Sequence, residues 1–332
     1  MRFKLWSSIL TIIILLALLF TMPMLTACGG EEEPAPAPSP ELEPAPAPAP
    51  AVAEFDVVTD AVAVYLADIA SNVKASDLHM QIAEGDAPYI VSLRKAVDYA
   101  NGHIPGAVNM AFGELAALPI DENILVYCYT GQSASFGAAV LGVLGYDVSN
   151  LLHGMSSWSD DPAIYVTRFN PESDQGDYNV ETVANTGGSY GDPSLENTTS
   201  SAESDIVAAA AATVSPSYIT AADLHMKIAE GEDMTVVDLR AADNYAAGHI
   251  PGAINFGLSA LADNLDKINP DAPVYAYCYT GHSASQAVAL LRMLGYDAYT
   301  IKFGMCSWSS DPEINAGKCF SADSVQGYQT EK

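Results

Sequence analysis

The strongest constraint on this chain is that much of it is written twice. Ser76-Asp-Leu-His-Met-Gln-Ile-Ala-Glu-Gly85 returns as Ala222-Asp-Leu-His-Met-Lys-Ile-Ala-Glu-Gly231, and Gly102-His-Ile-Pro-Gly-Ala107 as Gly248-His-Ile-Pro-Gly-Ala253. Tyr127-Cys-Tyr-Thr-Gly-Gln-Ser-Ala-Ser135 returns as Tyr277-Cys-Tyr-Thr-Gly-His-Ser-Ala-Ser285, and Gly154-Met155 with Trp158 as Gly304-Met305 with Trp308. The blocks are collinear, with one four-residue insertion in the second copy between the His-Ile-Pro turn and the Cys strand. Such self-similarity is duplication, so the fold must be one that a single repeat can build.

Each repeat alternates helix and strand. In the second, Thr220 with Asp223 three residues on resembles a capping box opening a helix to about Ala229, which Gly231 stops. Thr235-Val-Val-Asp-Leu is a short β-branched run, hence a buried strand; 241–247 is helical; Val274-Tyr-Ala-Tyr is a second apolar strand ending at Cys278. Val288, Leu291 and Leu294 keep helical spacing up to Gly295. Apolar strands separated by helices predict two tandem α/β domains, each a parallel sheet flanked by helices on both faces.

The ends set the compartment. Arg2 and Lys4 precede an apolar run from Leu5 to about Met24, followed by Leu25-Thr26-Ala27-Cys28. This order is that of a secretory signal, and the Cys directly after Leu-Thr-Ala is similar to a bacterial lipobox. The reading is a signal peptide over 1–27, with lipid on Cys28 anchoring the protein to a membrane of unspecified identity. An uncleaved signal anchor is the alternative; Pro23 and the placement of Cys28 argue against it. Residues 28–54 are a Pro/Ala/Glu-rich semi-rigid tether. The first domain is expected over 55–169, a Ser/Asn/Gly-rich linker over 170–204 and the second domain over 205–320. Localisation is thus expected to be extracytoplasmic. A formal charge of −28 repels phosphate backbones and argues against a nucleic-acid partner.

Cys128 and Cys278 carry the chemistry. Each follows a parallel strand at its carboxyl end, where open α/β sheets place their ligand crevice. The loops Tyr129-Thr130-Gly131-Gln132-Ser133 and Tyr279-Thr280-Gly281-His282-Ser283 each run straight into a helix. Such a loop turns several backbone N–H groups toward one point, a nest reinforced by the helix dipole. It is expected to bind substrate, to hold an anionic sulfur and to lower the thiol pKa from about 8.5. Cys306 and Cys319 have no counterparts in the first repeat, where Ser156 stands opposite Cys306; they are either a disulfide closing a short loop or two unrelated thiols.

The strand Val236-Val-Asp-Leu-Arg240, then Tyr245, the Gly-His-Ile-Pro-Gly-Ala turn, the Cys loop and the Gly-Met…Trp block resemble the rhodanese family in order and spacing, over about residues 74–165 and 219–315. The resemblance implies a sulfurtransferase. Cys278 and Cys128 would be persulfide-forming nucleophiles taking sulfane sulfur from thiosulfate, polysulfide or a persulfide-bearing protein and passing it to a thiol or cyanide. Neither metal nor organic cofactor is needed. Phosphatases with a related Cys loop carry an Arg one residue further on; Ala134 and Ala284 stand there instead.

The chain departs from the family pattern in lacking a basic residue at Ser133 or Ser283, so its grip on thiosulfate is expected to be weak. Ser92 replaces the strand acid present as Asp238, and the acid before Tyr is Asp98 in one copy but Asn244 in the other. Arg94 and Arg240 are expected to anchor the Cys loop from behind, and His103 and His249 to stabilise turns. His282 is either protonated and anion-binding or turned to solvent. Two retained cysteines favour turnover, preferentially in the second domain; the missing loop charge favours a non-turnover sulfur carrier.

Overall fold

The computed structural model describes residues 53–332; the signal segment, Cys28 and all but the last residues of the tether lie outside the described residues. The first repeat holds β1 (Asn72–Val73), β2 (Tyr89–Ser92), β3 (Val108–Asn109), β4 (Ile124–Tyr127) and β5 (Val148–Leu151). The second holds β6 (Tyr218–Ile219), β7 (Thr235–Asp238), β8 (Ala253–Asn255), β9 (Val274–Tyr277) and β10 (Ala298–Ile301). The sheets run β1-β5-β4-β2-β3 and β6-β10-β9-β7-β8. Every pairing is parallel, as the apolar strands predicted. Both central strands, β4 and β9, are buried at every position. Their β-branched and aromatic side chains suit a strand covered on both faces.

Local signals set the helix boundaries. Thr220 caps Ala221–Glu230 by accepting from the Asp223 N–H, and Gly231 ends it in the left-handed region. The four-residue insertion appears as extra 3-10 structure: Leu258–Ala260 and Ala262–Lys267 stand where the first repeat has only Phe112–Ala117.

One hydrophobic cluster spans both repeats, and each repeat has a second cluster of its own around Trp158 or Trp308. Helices Gln132–Val143 and His282–Met293, which follow the two Cys loops, pack side by side. A single cluster joins Phe136, Val140 and Leu141 to Val288, Leu291 and Leu294. The opening helix Glu54–Ala67 reaches into the second repeat, packing on Glu203–Ala212 and the 3-10 segment Leu258–Ala260.

The stretch read as a linker, 170–204, is partly a strap on the second repeat. Its Gly176 and Tyr178 N–H groups donate to the Ser307 and Trp308 carbonyls, and Glu181 pairs with His249 through two backbone bonds. The Glu181 carboxylate accepts from the Gly252 N–H at 2.7 Å, and Tyr178 stacks on His225. The C-terminal segment returns the favour on the first repeat. Gln326 and Tyr328 donate to Ser157 and Trp158, Glu331 pairs with His103, and Tyr328 stacks on His79. Each buried tryptophan sends its indole N–H to a strap carbonyl: Trp158 to Gln329 at 2.9 Å and Trp308 to Asn179 at 3.0 Å. Buried polar groups must be satisfied, and here each repeat borrows its partner from the other's trailing segment. The stretch lacks periodicity because a strap needs only isolated bonds and one aromatic ring.

Deleting Gln326–Lys332 is therefore expected to speed amide exchange in β4 and around Trp158 while leaving β9 protected. Hydrogen-exchange mass spectrometry checks this, and equal protection in both repeats would refute it.

Candidate active site

Each cysteine sits at the end of its sheet's central strand and the start of a helix. Cys128 follows β4 and Cys278 follows β9; both are free thiols, 3% and 5% exposed. The turn that reverses the chain needs glycine at its hinge. Gly131 and Gly281 lie at φ +83° and +86°, left-handed values costly to side-chain-bearing residues. The first helical N–H groups then converge on the sulfur. Gly281 N–H donates to Cys278 Sγ at 3.2 Å, and around Cys128 the N–H groups of Ala134, Thr130, Gly131 and Ser133 play that part.

The expected lowering of the thiol pKa does not hold at Cys128. Burial pushes this thiol up, outweighing the four N–H groups that pull it down. A nest inside a closed interface is a poorer host for a thiolate than one open to water.

Both loops face one another across the interface. Thr130 and Gln132 of one and Thr280 and His282 of the other line a cavity of about 10 Å³, walled by His153, Phe303 and Phe320. That is about the room of one water molecule. Each loop sends one side chain across. Gln132 Oε1 accepts from the Phe303 N–H at 3.3 Å, and His282 Nε2 accepts from the His153 N–H at 3.2 Å. His153 and Phe303 hold φ of +62° and +64°, strain that presents their N–H groups to these acceptors. A Cβ on Gly131 would fall 2.5 Å from His282 Nε2, so glycine is needed there for close approach as well as for φ. Ser133 Oγ lies 2.8 Å from Tyr218 Oη, a residue of the second repeat.

Neither expectation for His282 survives. It is buried, not solvent-facing, and it is neutral: burial lowers its pKa to about 3, with His153 beside it adding to the effect. Because Nε2 accepts, its proton sits on Nδ1, facing Thr280 Oγ1 at 2.8 Å. Gln132 is likewise 2% exposed and turned to the other repeat.

The arginines also differ from expectation. Arg240 donates to the Gly248 and Ile314 carbonyls and to Asp238. Arg94 donates to Gly102, Asp98 and Ile164. Both thus tie the His-Ile-Pro turn to the segment after the tryptophan; they do not bond the Cys-loop backbone. Asp238 also accepts from Tyr277 Oη at 2.7 Å, completing a buried ion pair that Ser92 cannot reproduce, and Arg94 Nε has no partner among the described residues. His103 and His249 hold their turns, each ring stacked on the tyrosine four residues earlier. Cys306 and Cys319 are joined, with Cα atoms 5.4 Å apart. Sequence reasoning missed Tyr218, His153 and Phe303 at the site. Only the pairing of His153 with Phe303 at equivalent repeat positions carried any signal.

The profile of the rhodanese-like domain matches residues 74–161 and again 220–311. The chain belongs to the rhodanese-like family. An HTH-type transcriptional regulator of Mycobacterium tuberculosis is 40% identical over 92 residues, which are 27% of this chain and 40% of that protein. The thiosulfate sulfurtransferase GlpE of Pseudomonas putida is 37% identical over 84 residues, 25% of this chain and 76% of its own. Among solved structures, a rhodanese-like domain protein from Staphylococcus aureus aligns with 29% of this chain and 93% of its own at 29% identity and a TM-score of 0.27.

The buried His282 and half-buried His153 of this rhodanese-like pair predict acid sensitivity. The pKa of His282 falls to about 3 and that of His153 to about 4 in the fold, both through burial, against about 6.5 in the unfolded chain. The unfolded chain therefore binds more protons between these values. Stability is fully present above pH 6.5 and is lost as pH falls toward 3–4, by up to about 1.4 kcal/mol per pH unit for each histidine. His282→Gln, which copies Gln132, is expected to flatten this slope. Urea unfolding at pH 7.5, 6.0 and 5.0 measures it; parallel slopes for both proteins would count against the account.

Proposed function

We propose that this protein is an extracytoplasmic sulfurtransferase working through persulfides on Cys278 and Cys128, with the second repeat the better catalyst. The observation that carries the reading is the placement of a free cysteine at a strand-to-helix junction, with backbone N–H groups turned on its sulfur, in both rhodanese-like repeats. The relatedness to a thiosulfate sulfurtransferase supports it.

In the chemistry proposed, the Cys278 thiolate attacks the outer sulfur of thiosulfate. A sulfur–sulfur bond forms, the bond to the sulfonate sulfur breaks, and sulfite leaves with the electron pair. The persulfide's terminal sulfur carries the negative charge, which the loop N–H groups and helix dipole stabilise. Cyanide or a thiolate then takes that sulfur and restores the Cys thiolate, releasing thiocyanate or a new persulfide. Polysulfide or a protein persulfide serves by the same exchange.

Two observations rank the repeats. Cys278 receives a direct N–H bond at 3.2 Å, and burial raises the Cys128 thiol, which disfavours the thiolate there. The raised thiol of Cys128 favours a second reading for that repeat, a sulfur-carrying module that holds sulfur without rapid turnover. The signal-like N-terminus supports a lipid tether at Cys28, and the Cys306–Cys319 disulfide fits an oxidising compartment.

Intact-mass measurement on the full chain after exposure to thiosulfate, and separately to polysulfide, tests the reading. The expected result is a gain of sulfur that Cys278→Ser abolishes at the second site and that cyanide discharges, with repeated turnover depending on Cys278 more than on Cys128. A folded protein with free thiols that takes sulfur from neither donor would sink the proposal. The tether has its own test: metabolically supplied radiolabelled palmitate is expected in the wild-type chain and absent from Cys28→Ser. Label in neither protein counts against the lipid.

A further inference from the structure

The two Cys loops also differ at their outer rims. At the first, Tyr129 Oη donates to the Asp98 carboxylate. At the second, Tyr279 Oη donates instead to the neutral Asn244 amide. Over the ring of Tyr279 stands the ammonium of Lys318, 3.9 Å from the centroid, at a distance where a cation is held by the ring's negative face. Lys318 is exposed and lies beyond residues 220–311, the part matched by the family profile.

The first repeat has a cation at the equivalent position, but it is turned elsewhere. Arg168 stacks on Tyr165, 3.4 Å from its centroid, and donates Nη2 to the Ser156 and Ser159 carbonyls. The disulfide is a second difference between the two sites. Ser156 sends its hydroxyl to the Tyr129 and Thr167 carbonyls. In the second repeat Cys306 is bonded to Cys319, next to Lys318. Cys306 N–H donates to the Tyr279 carbonyl at 3.0 Å, and Met305 N–H to the Cys278 carbonyl at 2.8 Å. The residue beside Lys318 is therefore covalently tied to the backbone that grips the Cys278 loop.

We infer that Lys318 is a specificity-determining residue of the second cysteine site. Stapled over Tyr279 by the Cys306–Cys319 disulfide, it favours anionic sulfur donors of the thiosulfate or polysulfide class over uncharged ones. The inference rests on the persulfide reading, and it places outside the loop the positive charge that Ser283 does not supply. An exposed ammonium acts over about a Debye length, about 8 Å at physiological salt, so the effect is modest and weakens as salt is added.

The test separates the charge from the sulfur chemistry. Alkylation of Cys278 in the full chain by anionic iodoacetate and by neutral iodoacetamide is followed by peptide mass spectrometry, with Cys128 as internal reference. Persulfide loading from thiosulfate is measured in parallel with mixed-disulfide formation from an uncharged dialkyl trisulfide, in which the Cys278 thiolate attacks an outer sulfur and an alkyl perthiolate leaves. Lys318→Gln is expected to lower the iodoacetate-to-iodoacetamide rate ratio at Cys278 roughly fivefold and leave Cys128 unchanged. Loading by thiosulfate should fall in step while mixed-disulfide formation from the trisulfide holds. Lys318→Arg should retain both, and Cys306→Ser with Cys319→Ser should behave as Lys318→Gln. An unchanged ratio in Lys318→Gln, or a Cys278 that reacts with neither reagent, overturns the inference, and a ratio that survives loss of the disulfide overturns the stapling. A ratio that falls as expected while thiosulfate loads no sulfur leaves the charge selection standing and defeats the persulfide reading.

Discussion

Two buried polar side chains decide how this molecule is put together. Gln132 and His282 are carried inward by the loops that present the cysteines, and neither finds its acceptor's partner within its own repeat. A buried polar group without a hydrogen bond costs about 1–3 kcal/mol, so each repeat must meet the other in one register. The shared core of the two following helices supplies the attraction; these two bonds supply the alignment. The left-handed backbone of His153 and Phe303, the glycines that allow contact and the small cavity between the loops all follow from that meeting.

Duplication followed by divergence has left the halves alike in backbone and unlike in chemistry. The second keeps a buried Asp238–Arg240 pair with Tyr277 on it, while the first makes do with Ser92. The second closes its last loop with a disulfide where the first uses a serine hydroxyl. The rim tyrosine faces an amide in one and a carboxylate in the other. None of these differences alters the strand-loop-helix geometry that carries each cysteine. That is how two copies keep a common scaffold while their cysteines acquire different environments.

What could be read from sequence was whatever is local or repeated. The strands, the Thr220 cap, the glycine stops and the position of each cysteine at a strand-to-helix junction depend on neighbours within a few residues. Duplication doubled the signal for each. The fate of His282 was not legible, because its burial is imposed by a residue far along the chain. The same holds for the raised thiol of Cys128, where the local N–H groups were foreseen and the burial that outweighs them was not. Tyr178 and Tyr328 sit in stretches of turn-forming residues, and nothing in such a stretch announces a ring stacked on a distant histidine.

The crossing of the straps has a consequence for the order in which the protein comes into being. The first repeat leaves the ribosome first, yet the carbonyl that receives the Trp158 indole belongs to Gln329 and the carboxylate that accepts from Gly106 belongs to Glu331. The second repeat, by contrast, has its strap already synthesised when its own strands emerge, since Asn179 and Glu181 precede them. The half made first is therefore the half finished last, and residues Gln326–Glu331 act as the clasp.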